Sequence, residues 1–110
     1  MSKYSGTVEF DLYLSQQNFV LLDGLKSNLL GGTYLDSATT TFELTTLANA
    51  SLTTTTMSYA TGSAGRYEGT ISAISSLVEG TDYLGKITVT SGATTVAYWE
   101  LRRTASYRRD

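Results

Sequence analysis

Residues 75–89 read SSLVEGTDYLGKITV. Leu77 is followed three residues on by Gly80, and Gly80 three residues on by Tyr83. From Tyr83 the chain alternates: Tyr83, Gly85, Ile87 and Val89 fall on one side, and Leu84, Lys86 and Thr88 on the other. Period two is the mark of a strand with one face turned to a core. A tyrosine heading such a strand is either a ligand contact or a part of the frame.

The same period recurs along the chain. In TVEFDLYL, residues 7–14, Val8, Phe10, Leu12 and Leu14 share a face. Ala38, Thr40, Phe42 and Leu44 share another, with Thr39, Thr41 and Glu43 opposite. Thr55, Met57 and Tyr59 form a third set, and Tyr67, Gly69, Ile71 and Ala73 a fourth. The last strand, ATTVAYWELRR, turns Ala97, Trp99 and Leu101 inward and Val96 and Tyr98 outward, and the tight turn SGA joins it to its predecessor. A weaker strand is expected at 18–22, NFVLL. About seven short antiparallel strands with turns between them predict an all-β sandwich or barrel. No long segment carries the 3.6 period of a helix, and ISAISSLVEG holds at most a short turn.

The chain has 110 residues, which is one domain by length. Such a chain buries roughly 65% of its unfolded surface and needs no staple. It has no cysteine and no histidine, so there is no disulfide, no thiolate and no imidazole base or ligand. The net charge of −2 is too small to draw a polyanion to the whole domain. No apolar run reaches the roughly 18 residues of a membrane helix, and the N-terminus lacks the apolar stretch of a secretory signal. A chain made in a cytoplasm is expected. Proline is absent, so strand edges must be protected by charge, by twist or by a neighbouring chain.

Two segments break the alternation. Residues 23–37, DGLKSNLLGGTYLDS, read as one long loop carrying Leu25, Leu29, Leu30, Tyr34 and Leu35. Loops of that length are functional or disordered, and the apolar content argues against disorder. Those side chains either cap the open end of the core or form a contact surface for another chain. The second segment is the basic C-terminal end at 102–110, where Arg102, Arg103, Arg108 and Arg109 make up four of the eight basic residues. It reads as a solvated strand end or as a docking point on an acidic neighbour. The run is too short, and the domain too acidic, for a nucleic-acid interface.

Enzyme chemistry finds few footholds. A serine nucleophile has no histidine to activate it. Zinc has no cysteine or histidine to bind, and no G-x-x-x-x-G-K phosphate loop occurs. Glu9, Glu43, Glu68 and Glu100 read as a solubilising face rather than a glycosidase pair. Asp23, Asp36 and Asp82 lie in expected loops without the D-x-D clustering that calcium wants. The chain is expected to be no enzyme and to carry no cofactor and no metal.

The motif Leu77-x-x-Gly80-x-x-Tyr83 before an alternating strand resembles the corner of fibronectin type III and other immunoglobulin-like sandwiches. The resemblance implies that Tyr83 sends its hydroxyl back to upstream backbone, that Leu77 closes the core and that Gly80 makes the turn. Tyr83 is then frame, not ligand contact. The single tryptophan, Trp99, lies on the last strand and not on an early one, a departure from antibody domains. A wider pattern, from LLDG through SATTTFELT, GSAGRYEGTI and LVEGTDYLGKITVTSGA to the final arginines, is similar to small immunoglobulin-like structural proteins of tailed bacteriophages.

That resemblance implies a non-enzymatic virion protein with other virion proteins as partners. A head decoration, or cement, protein on the capsid is the favoured role. A neck or head–tail connector or a tail component is the alternative, and a homo-oligomer is compatible with either. The partner interface is expected at Leu29, Leu30, Tyr34, Leu35, Val96, Tyr98, Arg102 and Arg103. A carbohydrate-binding module is the rival from another class, with Tyr4, Tyr13, Tyr59 and Tyr98 as stacking faces.

Overall fold

The computed structural model describes residues 4–27, 34–92 and 94–107. Seven strands follow one another: β1 (Tyr4–Phe10), β2 (Asn18–Ser27), β3 (Thr39–Thr46), β4 (Ser51–Tyr59), β5 (Tyr67–Ile71), β6 (Asp82–Ser91) and β7 (Thr94–Thr104). All pairings are antiparallel, in the order β1-β2-β5-β4-β3-β6-β7. The chain is all-β, a single sheet curled until its two ends nearly meet. At that seam the chain beyond β1 leaves β2 and runs beside the end of β7. Tyr13 bridges Ser106 in parallel, and the Ser106 carbonyl accepts from the Leu14 N–H at 2.9 Å.

The alternating patterns become the core. Every second residue of β6 from Tyr83 to Val89 is buried. Phe42 and Leu44 of β3 and Ile71 of β5 are fully enclosed, and Met57 of β4 is nearly so. In β7, Ala97 is buried, and Trp99 and Leu101 pack against the core from the rim. The rings of Phe10 and Phe42 meet at a tilt of 60°, with centroids 5.2 Å apart. Gly85 lies beneath them, and a Cβ there would come within 2.5 Å of the Phe10 ring and 2.9 Å of the Phe42 ring.

Three expectations need correction. β1 ends at Phe10 rather than continuing to Leu14. Leu12 and Leu14 stay buried because the chain crosses to the β7 side while keeping its alternation. The loop expected at 23–37 is shorter, since residues 23–27 extend β2 against the first half of β1. The register shifts between Ser5 and Thr7, and Gly24 opposite has φ of 70°. Such a bulge breaks the period of two, so Leu22 and Leu25, an odd number of residues apart, both reach full burial. Ala73, expected inward, lies beyond the end of β5 and is exposed.

Two polar side chains hold the connections. Asn18 is 3% exposed. Its Oδ1 accepts from the Tyr13 N–H at 2.9 Å, and its amide donates to the Tyr13 carbonyl at 3.1 Å. It therefore imitates a strand partner across the β1–β2 connection. Tyr67 is 1% exposed. Its hydroxyl donates to the Leu35 carbonyl at 2.6 Å and accepts from the Ala38 N–H at 3.1 Å, clasping the approach to β3. Burial is the main cause raising its pKa above 10.0; the Ala38 bond opposes the rise, and Asp36 adds to it.

Candidate binding surfaces

Tyr83, the second residue of β6, is 4% exposed. Its hydroxyl accepts a bond from the Val78 N–H at 3.0 Å. Leu77 is buried beneath the turn, and Gly80 has φ of 81°, a conformation that favours glycine. The Gly80 N–H donates to the Ala105 carbonyl at 2.9 Å, which ties the corner to the chain just past β7. The hydroxyl of Tyr83 thus meets upstream backbone, and its ring lies in the core.

Of the residues expected to make a partner surface, Tyr34 and Tyr98 stand in different halves of the sheet. Leu29 and Leu30, and the side chain of Val96, lie outside the described residues. Tyr34 is 46% exposed and bridges Lys26 of β2, where it borders a shallow polar depression with Ser5, Thr7 and Asp23. Leu35 is half-buried against the core, and its N–H donates to the Leu25 carbonyl. Tyr98 stands outward on β7 at 52% exposure, across from Thr88 of β6 and so in the other half of the sheet from Tyr34. Its hydroxyl donates to Glu100, and partial burial, then Glu100, raises its pKa above 10.0. Arg102 reaches Asp82 at 3.8 Å, an exposed pair of little energetic weight.

Arg103 turns the other way. Its guanidinium lies 5.3 Å from the centroid of the Phe10 ring, and its Nη1 donates to the Arg102 carbonyl. Its place is the seam between β1 and β7, where the stem and the charged plane cover the core. The side chain stays partly exposed while it covers Phe10.

Alternation did not single out one further surface. A groove of about 270 Å³ lies on the outer side of β1, β2 and β5. Phe19 lines it at 63% exposure, the most exposed of the large apolar side chains among the described residues. Glu9, Asp11, Leu21 and Glu68 surround it, and Arg66 pairs with Glu68 at 3.7 Å. Cross-strand pairing sets Glu9, Leu21 and Glu68 in one row. The sequence signal was present in NFVLL: Asn18, Val20 and Leu22 take the inner side, which leaves Phe19 and Leu21 outside. An exposed ring beside carboxylates suits a flat cationic or hydroxyl-rich group. Among the described residues, no three acidic side chains stand close enough together to hold a metal ion.

Comparison with known proteins finds no matching family model, no matching curated protein and no matching solved structure.

Proposed function

We propose that this chain is a non-enzymatic structural protein of a bacteriophage virion, built as an immunoglobulin-like sandwich and bound to the capsid as a decoration protein. Support for the sandwich comes from the pairing order. One side is β1-β2-β5 and the other β4-β3-β6-β7, and among the named strands ladder pairing joins the two at Ser58 and Tyr59, where β4 meets β5. Read as strands A to G, the first, second and fifth face the third, sixth and seventh, with the fourth beside the third, as in domains that add C′ to the GFC sheet. The observation that carries the reading is Tyr83, at the head of the sixth strand with its hydroxyl on upstream backbone, the position of the tyrosine corner. Gly85, two residues on, stands where antibody domains carry the second cysteine, with the Phe10–Phe42 pair filling that space.

A decoration protein needs a stable body and an adhesive patch, and particle symmetry multiplies a weak contact into avidity. The 28–37 segment, with Tyr34 exposed at its edge, is the preferred patch. Leu30→Asp with Tyr34→Ser is expected to leave the fold intact and to abolish binding to particles in a capsid pull-down. Undiminished occupancy would overturn the assignment. Discrete rings of purified protein would favour a neck or tail position instead.

The Phe19 groove favours a second reading, a carbohydrate-binding module. The groove and not the tyrosines would carry it, since Tyr4 and Tyr59 pack against the core and Tyr98 is held by Glu100. Glycan-array binding lost on Phe19→Ala would support that module. An array without signal would remove it.

A further inference from the structure

The curled sheet has two places where backbone pairing stops. One is the seam, where β1 and β7 face each other, and it is well guarded. Arg103 lies over Phe10, the Tyr13–Ser106 bridge ties the ends, and Glu9, Glu100 and Arg102 put charges along the two strands. The other is the far side of β4. β3 pairs with β4 from Ser51 to Met57, but β5 pairs with it only at Ser58 and Tyr59. Beyond that point β5 makes no further ladder pairs with β4. The Thr70 carbonyl of β5 takes the Thr55 hydroxyl, at 3.0 Å, in place of a ladder partner. Among the described residues, Ser51–Met57 therefore has one side without a backbone ladder.

This edge has none of the usual protection. Proteins blunt free edges with charge, proline or bulges. No charged residue occurs between Glu43 and Arg66, and the chain has no proline. The one register shift on β4 lies at its start, opposite Leu44 and Thr45. The strand itself reads SLTTTTMSY, rich in β-branched threonine that favours extended backbone.

We infer that β4 is a pairing edge, and that its partner is the same edge of a second copy, antiparallel across a two-fold axis. The absence of charge selects that partner. In a two-fold contact each strand meets itself, so one charged residue on the strand brings its like close by. On β7 a two-fold centred on Glu100 or on Arg102 sets like charge on like, whereas β4 meets no repulsion in any register. A two-fold perpendicular to the sheet keeps each face on its own side, so the axis passes through a residue. Thr53 and Thr54 are the two centres that use the open stretch and stop before Ser58, where β5 takes over. Either sets threonines against threonines, a favourable cross-strand pairing. The contact is small and weak by itself, and it does not depend on where the domain works.

Sedimentation of the purified chain over a range of concentrations tests the inference. The weight-average mass is expected to climb toward twice the monomer mass, equally at low and at 1 M salt, because no charge takes part. Thr54→Lys and, separately, Thr56→Lys are expected to hold the chain monomeric with an unchanged circular dichroism spectrum. Both residues are exposed, so the fold tolerates the change. Because the chain has no cysteine, Thr54→Cys supplies a unique thiol. It should give a covalent dimer with a short bismaleimide, whereas Thr88→Cys, within the sheet on β6, should not. A mass that stays monomeric at every concentration overturns the inference. So does association that both lysine variants leave untouched, association that high salt abolishes, or equal cross-linking at position 88.

Discussion

Replacing Tyr67 by phenylalanine removes one oxygen from the largest fully buried side chain among the described residues. That oxygen makes two bonds, to the Leu35 carbonyl at 2.6 Å and from the Ala38 N–H at 3.1 Å. Each is worth about 1 kcal/mol net, and backbone groups left without a partner beside a core add to the cost. The sum is about 2–3 kcal/mol. Tyr83→Phe removes a single accepted bond, from the N–H of Val78, whose side chain is largely exposed. Its cost is about 1 kcal/mol. The two variants differ from wild type by the same atom, so hydrophobic burial cancels in the comparison. Urea unfolding followed by the fluorescence of the single tryptophan, Trp99, measures both. With a slope of about 1–2 kcal/mol/M for a chain of this size, Tyr67→Phe should lower the midpoint by about 1–2 M and Tyr83→Phe by roughly half of that or less. Equal shifts, or a larger loss at Tyr83, would refute the clasp. Partner binding should survive Tyr83→Phe; binding lost at unchanged stability would return Tyr83 to the functional surface.

Three further outcomes follow from the same packing. The raised pKa of Tyr67 means that the folded state keeps a proton that the unfolded chain loses near pH 10.0. Stability is therefore full below that pH and falls as pH rises through the folded pKa; alkaline melting curves of Tyr67→Phe should show a smaller decline. Asn18→Ala removes two hydrogen bonds to the backbone of Tyr13 and should cost about 2 kcal/mol in urea unfolding, with Asn18→Asp recovering part through the retained acceptor. Gly85→Ala drives a methyl into Phe10 and Phe42 and should cost about 1–3 kcal/mol; a neutral result would mean that the two rings have room to separate.

Strand identity and facing were legible wherever a strand keeps strict alternation. In β6 the Tyr83–Val89 set, and in β3 Thr40, Phe42 and Leu44, are the inner residues that alternation names. The corner was legible for the same reason: Leu77, Gly80 and Tyr83 lie within one short stretch, and their spacing is local. β2 was legible only over 18–22; its second half was not, because the bulge at Gly24 shifts the phase between Leu22 and Leu25 and makes a strand look like a loop. Of the surface residues, Tyr98 was legible as outward, while the contact of Arg103 with Phe10 was not, because the two meet only when the sheet closes.

The sequence by itself determined an all-β chain, most of its strands and the face of each that is buried, because these follow from a period of two that neighbouring residues carry together. The tertiary structure decided what depends on distant partners. It set where the edges of the sheet fall, how the chain at 11–14 crosses to Ser106, and which backbone groups Tyr67 reaches about thirty residues away. It also left an uncharged run of threonines with a backbone ladder on one side only, since the end of a ladder depends on where the neighbouring strand stops pairing. Pairing across such separations leaves no local pattern to read. It is fixed by the closing of the sheet around one core.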